Sequence, residues 1–223
     1  LTRLLVPAHF KELVLQRIKD DFKGFLMAFD IVKFRLLNEY KGYDFGSSIL
    51  KEIAEKITSV SQSDLLCRLH DDVFVIYSKF VDENAMQKKY ELVKHIVDSI
   101  GITNKISISI AQGAVVFTSE EEIAFQALID RALEAKKFSK DNDIHKLVIY
   151  DNKLHEQSII KQNIEAKMGK ALKNKEFEVY LQPCYELKTN TISSFEALVR
   201  WNSSDGILSP ADFIPLFEQN GFI

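Results

Sequence analysis

The sequence predicts an α+β domain with a split βαββαβ core, an antiparallel sheet with helices on one face, followed by the start of a second domain. Three observations support this. Short apolar segments alternate with amphipathic helical segments from Phe25 to Tyr150. Two of the apolar segments flank a short polar turn at residues 69–72, a pattern typical of a hairpin. Three of the four prolines follow residue 182, so the composition changes near residue 175.

The composition is that of a globular protein, with 46% hydrophobic and 27% charged residues. A net charge of −3 argues against a nucleic-acid-binding surface, which needs a clustered basic face. The chain has no signal peptide and no apolar run long enough to span a bilayer, so we expect a cytoplasmic location. Cys67 and Cys184 are interpreted as small core residues. The chain starts without Met and ends shortly after a predicted helix, so we expect a fragment of a longer protein.

The elements of the first domain follow from the spacing of apolar residues and from helix stop signals. The polar turn between the two hairpin strands is the feature with the most chemical interest, because it is charged. The predicted elements are a helix at 7–19, a strand at 25–31, helices at 32–40 and 44–60, a hairpin at 64–77, a helix from 82 that stops at Gly101, a strand at 105–117, a helix at 120–140 and a strand at 147–150.

The second half of the chain begins with a charged helix at 152–175, interpreted as a linker whose apolar side packs on a neighbour. Strands at 177–185 and 191–201 follow, and then a helix. We therefore predict a domain at 1–151, a linker helix at 152–175 and the beginning of another domain at 176–223.

Asp30 and Asp72 are the candidate metal ligands of the first domain. Asp30 lies near the end of the first strand and Asp72 at the hairpin tip, and these strands are neighbours in a split βαββαβ sheet. Two carboxylates so placed can hold Mg²⁺ against the phosphates of a nucleotide. The alternative is that Asp72 only binds local backbone, as Asp often does in turns.

Three segments of this domain are similar to motifs of one family. Asp30 to Arg35 resembles an Asp-Ile-Asp-x-Phe-Lys segment, Asn38 follows at the family's spacing, and Ser109 to Ala111 resembles a Ser-Ile-Gly strand. On these residues, 1–151 resembles a GGDEF domain, the family that makes cyclic di-GMP from GTP. The resemblance implies a nucleotide-cyclase-like palm fold, with Asn38 as a weak nucleotide-binding residue and GTP as a regulatory ligand.

The hairpin turn departs from the family pattern. Where the family has Gly-Gly-Asp/Glu-Glu-Phe, this chain has His70-Asp71-Asp72-Val73-Phe74, so only the third and fifth positions survive. Val73 replaces a catalytic carboxylate and can neither bind metal nor accept a proton. The resemblance therefore implies a degenerate domain without diguanylate cyclase activity, in which Asp30 and Asp72 are a vestigial metal site.

The family's upstream feedback site, an Arg-x-x-Asp pair, is also altered. Ser61 stands at the position of its arginine, and Asp64 keeps its aspartate.

Several consecutive blocks after residue 180 carry a second resemblance. Leu181 to Pro183, Phe195 to Trp201 and the segments 206–210 and 213–216 follow one another at the spacing of the first part of an EAL domain, the cyclic di-GMP phosphodiesterase family. That family uses a TIM-like barrel, of which this chain supplies only the first strands and helix.

The resemblance assigns Glu196 as a ligand of Mg²⁺ or Mn²⁺, and Gln182, Leu198 and Arg200 as contacts of cyclic di-GMP. Without it, Glu196 would be interpreted as a solvated strand-end carboxylate and Arg200 as part of a surface ion pair. Further carboxylates from later strands would be needed, so we expect this chain alone to be inactive.

Three functions stay open. The first is a cyclic di-GMP phosphodiesterase whose GGDEF-like domain is regulatory, through GTP sensing, formation of a homodimer or signalling along helix 152–173. The second is a non-catalytic receptor or scaffold for cyclic di-GMP or GTP, and the third is an active diguanylate cyclase.

Overall fold

The computed structural model of the chain describes residues 2–20, 23–61, 63–117, 124–142, 144, 146–204 and 206–223. The chain divides into two compact units, Leu1–His155 and Glu156–Ile223. The division between the two units falls after His155. The domain boundaries expected from the sequence, at residues 151 and 175, stay predictions.

The first unit contains five helices and five strands within the described residues, in the predicted order. They are α1 Pro7–Asp20, β1 Gly24–Ile31, α2 Phe34–Lys41, α3 Tyr43–Val60, β2 Leu65–His70, β3 Val73–Lys79, α4 Glu83–Thr103, β4 Ile110–Phe117, α5 Phe125–Asp141 and β5 Val148–Ile149.

The five strands form one sheet in the order β2-β3-β1-β4-β5. β1 lies at its centre and pairs antiparallel with β3 and β4, with Phe29 opposite Phe74 on one side and Asp30 opposite Ala111 on the other. The βαββαβ core and the pairing of β1 with the hairpin are therefore confirmed. The expectation of a wholly antiparallel sheet is wrong at one edge, because β5 pairs with β4 in parallel.

Helices cover both faces of the sheet, so the expectation of helices on one face is wrong. All eight residues of β1 are buried, and successive residues of a strand point to opposite faces. Phe25, Met27 and Phe29 pack with apolar residues of α3 and α4. Leu26 and Ala28 pack with apolar residues of α1 and α5 on the other face. The continuous apolar sequence of β1 is the pattern of a strand buried on both sides.

The predicted end of the helix α4 and the predicted start of the strand β4 are wrong. α4 does not stop at Gly101 but continues to Thr103, and Asn104 caps it by donating its side-chain amide to the Ile100 carbonyl at 2.9 Å. Residues 105–109 do not belong to β4; Ile106 and Ile108 pack against the core from outside the strand. Of the helix predicted at 120–140, residues 120–123 lie outside the described part of the chain.

The second unit contains most of α6 Asn152–Lys173, then β6 Phe177–Glu186, β7 Thr191–Ser203, β8 Gly206–Leu208 and α7 Pro210–Asn220. The three strands form an antiparallel sheet in chain order. Its core is mainly aromatic and consists of Ile164, Ala171, Trp201, Phe213 and Phe217.

The segment predicted as a linker is one helix, and most of it belongs to the second unit. Of its apolar residues, Ile164 is buried in that unit's core, whereas Ile159 and Ile160 are exposed. Within the described residues, no helix has the length and apolar character that a membrane crossing requires. Cys67 is buried as expected, but Cys184 is exposed because β6 lies open to solvent along nearly its whole length.

Candidate functional site

The structure brings Asp30 and Asp72 together at one end of the sheet. Asp30 is the penultimate residue of β1 and is only 3% exposed. Asp72 lies in the turn between β2 and β3, and its Oδ2 accepts a hydrogen bond from the backbone N–H of Ile31 at 3.1 Å. The turn carboxylate therefore binds the backbone of the neighbouring strand, next to Asp30, as well as the backbone N–H of its own residue.

Two lysines of α5 hold the carboxylate of Asp30. Asp30 points to the face of the sheet that α5 covers, because it alternates with Phe29 and Ile31 along β1. The Nζ atoms of Lys136 and Lys140 both donate to its Oδ2, at 2.7 and 2.8 Å. The other oxygen, Oδ1, accepts no hydrogen bond from the described residues.

The environment of Asp72 disfavours its ionised form. Burial raises the pKa of its carboxyl above the ordinary value of 3.8, and the negative charge of Asp30 raises it further. The backbone N–H of Asp72 itself, the positive charge of Lys140 and the N–H of Ile31 act in the opposite direction but are weaker. A raised pKa of one member is typical of two carboxyl groups that lie close together.

The hairpin turn keeps an unusual backbone shape without glycine. Asp71 has a φ of +39°, in the left-handed region that Asp tolerates better than most residues. The Nε atom of Arg68 donates to the carbonyl of Asp71 at 2.5 Å and fixes the turn. The side chains of His70 and Asp71 are both exposed.

The two residues after the turn are part of the core. Val73 is 5% exposed, so its apolar side chain is buried. Phe74 is fully buried, and its ring stacks on that of Phe29 with 5.1 Å between the centroids. Position 73 therefore presents hydrocarbon where the family resemblance expects a carboxylate.

Asn38, the predicted nucleotide-binding residue, lies on α2 against α3. A Cβ atom at Gly46 would lie 1.8 Å from the Asn38 Oδ1, so only glycine leaves room for this side chain. That oxygen is buried without a hydrogen-bond partner among the described residues. Its role in nucleotide binding stays a prediction.

Asp64 forms a separate, partly buried ion pair with Lys89, which also contacts Ser61. The Nζ of Lys89, on α4, donates to Asp64 Oδ2 at 2.5 Å and to the hydroxyl of Ser61 at 3.2 Å. The hydroxyl of Ser78 donates to Asp64 Oδ1 at 2.5 Å. Lys89 therefore supplies a positive charge beside Asp64, although Ser61 replaces the arginine of the family motif.

In the second unit, the four residues assigned through the EAL resemblance share one face of the sheet. Glu196, Leu198 and Arg200 are two residues apart along β7, and Gln182 lies opposite Glu196 on β6. Trp201, on the opposite face, is buried in the core. Glu196 and Gln182 are exposed and Leu198 and Arg200 half-buried, so these side chains are accessible from one side.

A complete metal centre is not formed by the described residues: no group of three or more His, Cys, Asp or Glu side chains is placed to hold an ion. Glu196 shares its face of the sheet with Glu178, but Glu178 lies opposite Arg200, four residues along β6 from the partner of Glu196. The described residues of this face therefore supply one predicted ligand for Mg²⁺ or Mn²⁺, Glu196, and a complete metal site would need further ligands from outside this chain.

The sequence analysis missed Lys136 and Lys140. The signal was present, because Lys136 falls within the buried stripe of α5 between Ala135 and Ser139. A lysine at a core position of a helix requires a buried partner of opposite charge. Spacing along the chain could not show that this partner is Asp30, more than a hundred residues earlier.

Comparisons with known proteins agree with both resemblances. Residues 1–145 match the family described as "Diguanylate cyclase, GGDEF domain", and residues 165–223 match the family described as "EAL domain". The chain is 24% identical to the bifunctional diguanylate cyclase/cyclic di-GMP phosphodiesterase MucR of Pseudomonas aeruginosa, over 99% of the chain and 33% of MucR. It is 26% identical to the cyclic di-GMP phosphodiesterase NbdA of the same organism, over 100% of the chain and 29% of NbdA.

Among solved structures, the S helix-GGDEF-EAL region of Vibrio cholerae LapD, bound to cyclic di-GMP, has a TM-score of 0.61 and 16% identity to the chain. The match covers 98% of this chain and 52% of that one. The chain thus spans about a third of the curated relatives named above and about half of the LapD region. The chain belongs to the GGDEF family over its first unit and continues into part of an EAL domain.

Proposed function

We propose that the first unit is a regulatory GGDEF domain that does not make cyclic di-GMP, in a protein whose EAL domain hydrolyses cyclic di-GMP. The observation that carries the first part is the burial of Val73. Cyclisation requires removal of a proton from the attacking hydroxyl of GTP, and a general base must lie within hydrogen-bond reach of that proton. Val73 has no such group, and its side chain is packed in the core.

The turn itself supports the same proposal. Glycines at such a turn let the backbone approach a phosphate closely. Here Asp71 keeps the left-handed backbone but adds an exposed carboxylate, which repels a polyphosphate. Asn38, the predicted nucleotide-binding residue, remains, so the proposed regulatory role includes sensing of GTP. It also includes formation of a homodimer, and we propose a cytoplasmic location.

Hydrolysis is proposed for the intact protein, through the accessible face of β6 and β7. Glu196 would hold one Mg²⁺ or Mn²⁺ together with carboxylates from later strands, and a metal of this kind activates water and stabilises charge on the phosphoryl group. Arg200 would donate to a phosphate of cyclic di-GMP, with Gln182 and Leu198 positioning the dinucleotide. The functions stated for NbdA and MucR support the proposal.

The test is a product assay on the intact protein, by chromatography with Mg²⁺ or Mn²⁺ present. We expect linear dinucleotide from cyclic di-GMP and no cyclic di-GMP from GTP. Glu196→Gln should lower hydrolysis at least 100-fold, because it removes a metal ligand. Glu218→Gln, on the exposed surface of α7, is the matched control. Formation of cyclic di-GMP from GTP would overturn the assignment based on Val73.

A receptor without catalysis is the second candidate, favoured by the fold shared with cyclic di-GMP-bound LapD. Calorimetry on the intact protein separates the two: binding of cyclic di-GMP without hydrolysis identifies a receptor. A GTP titration in the same instrument tests the sensing role, and no heat at millimolar GTP would exclude it.

A further inference from the structure

We propose that Lys136 and Lys140 are built-in counter-cations of the Asp30–Asp72 pair, and that they take the place of the divalent cation that the GGDEF family implies here. The proposal deepens the regulatory role proposed for the first unit. The counter-cation role rests on the lysine contacts, whereas the regulatory role rests on Val73. An experiment can therefore contradict one proposal without contradicting the other.

The geometry places both ammonium groups on one oxygen. Lys136 and Lys140 are four residues apart on α5, so they lie on the same side of the helix. Their Nζ atoms lie 2.7 and 2.8 Å from Asp30 Oδ2, the normal range for charge-assisted hydrogen bonds. The side chain of Asp30 is 5% exposed and that of Lys136 is 11% exposed, so this part of the cluster is largely shielded from water.

The position of α5 explains why Lys136 reaches Asp30. A Cβ atom at Gly113 of β4 would lie 2.0 Å from the backbone nitrogen of Lys136. The helix therefore sits directly on the strand at this residue. Since β4 is paired with β1, this close approach brings the lysine over the end of β1 that carries Asp30.

The charges balance without a metal. Two carboxylates, Asp30 and Asp72, face two ammonium groups. A buried charge must be paired to be tolerated; both ammonium groups pair with Asp30, and the charge of Lys140 also acts on Asp72.

A divalent cation does not fit this arrangement. To bind Asp30 Oδ2 it would have to displace both ammonium groups, and Lys136 would be left largely buried beside a doubly charged ion. Oδ1 of Asp30 has no hydrogen-bond partner in the part of the chain that the structure describes and is a potential ligand, but an ion there would lie beside the same two positive charges. The family's remaining carboxylate position is Val73, and Mg²⁺ needs several oxygen ligands in nearly octahedral geometry.

The proposal can be tested with Mn²⁺ alone on the full chain, by electron paramagnetic resonance of the free ion. We expect the Mn²⁺ binding of the wild type to be the same as that of Asp30→Asn, because Asp30 holds no ion in the wild type. The double variant Lys136→Met, Lys140→Met leaves the two carboxylates without their counter-cations. We expect it to bind Mn²⁺ at least tenfold more tightly than the wild type, and to lose this gain when Asp72→Asn is added.

Lys137→Met is the matched control, because Lys137 is an exposed lysine of the same helix. It should leave Mn²⁺ binding unchanged. If the double variant does not fold, Lys140→Met alone serves, since this side chain is 39% exposed, and it should show a smaller gain. Asp30-dependent Mn²⁺ binding by the wild type would overturn the proposal, as would a folded lysine variant without gained binding.

Discussion

Asp72 combines a structural hydrogen bond with an unfavourable charge. Its Oδ2 accepts from the N–H of Ile31, which ties the hairpin tip to β1. Burial and the charge of Asp30 nevertheless raise its pKa above 3.8. A carboxyl group whose pKa is higher in the folded than in the unfolded state stabilises the fold when protonated. That contribution is fully present below pH 3.8 and is lost as the pH rises through the raised pKa.

This sign gives a prediction for Asp72→Asn. The amide oxygen can still accept from Ile31, and the variant has no charge to lose as the pH rises. We expect its free energy of unfolding, relative to the wild type, to be higher at pH 7 than at pH 3.5. Urea denaturation at the two pH values measures this difference. Asp71→Asn is the matched control, and a difference that falls with pH would contradict the sign.

The hairpin residues show what the sequence can and cannot reveal about this site. His70, Asp71 and Val73, at positions where the family resemblance implies two glycines and a carboxylate, are visible in the sequence. The φ of +39° at Asp71 is not, because it depends on the turn and on the bond from Arg68. The partner of Lys136 was equally hidden, although its place in the buried stripe of α5 was visible, since a contact across more than a hundred residues leaves no local pattern.

The contact between α5 and β4 is the packing feature on which the candidate site depends. The approach is close at Gly113, where the backbone of Ala135 and Lys136 occupies the space that a side chain would need. Glycine is used here for close approach, and its φ lies outside the left-handed region. Any larger residue must push the helix away from the strand and draw Lys136 away from Asp30.

We therefore expect Gly113→Ala to destabilise the first unit by about 1–3 kcal/mol or more, because overpacking forces the backbone to shift. Chemical denaturation followed by circular dichroism measures the loss. Gly169→Ala is a matched control on α6, where a Cβ atom meets nothing within 4 Å. That substitution should stabilise by about 0.5–1 kcal/mol, since alanine loses less backbone entropy in a helix. A neutral Gly113→Ala would show that α5 is not held at this distance.

Element order was predictable from sequence because each element carries its own periodic pattern, as the buried residues of α3 and β3 illustrate. Two features were not. The presence of helices on the second face of the sheet was not predictable, because all eight residues of β1 are buried. The sequence of this strand therefore does not indicate which helix covers which face. The start of β4 was misplaced because Ile106 and Ile108 are as apolar as strand residues but pack outside the sheet.

Each of the two units has a hydrophobic core of its own. The first has an apolar cluster on each face of its sheet, and the second has an aromatic cluster around Trp201. The change of composition near residue 175 indicated a second domain, although the contacts place the division after His155, within α6. A domain with its own core can unfold independently of its neighbour.

Trp201 makes this independence measurable, because it is the only tryptophan of the chain and is fully buried in the second unit. Its fluorescence therefore reports on the second unit alone, whereas circular dichroism reports on both. We expect Gly113→Ala to move the circular dichroism transition to lower denaturant and to leave the fluorescence midpoint unchanged. Phe213→Ala, which removes a ring 5.7 Å from that of Trp201, should lower the fluorescence midpoint, at a cost of about 3–5 kcal/mol. If each substitution shifted both signals together, the two units would unfold as one, and a regulatory signal from the first would then reach the second through shared stability.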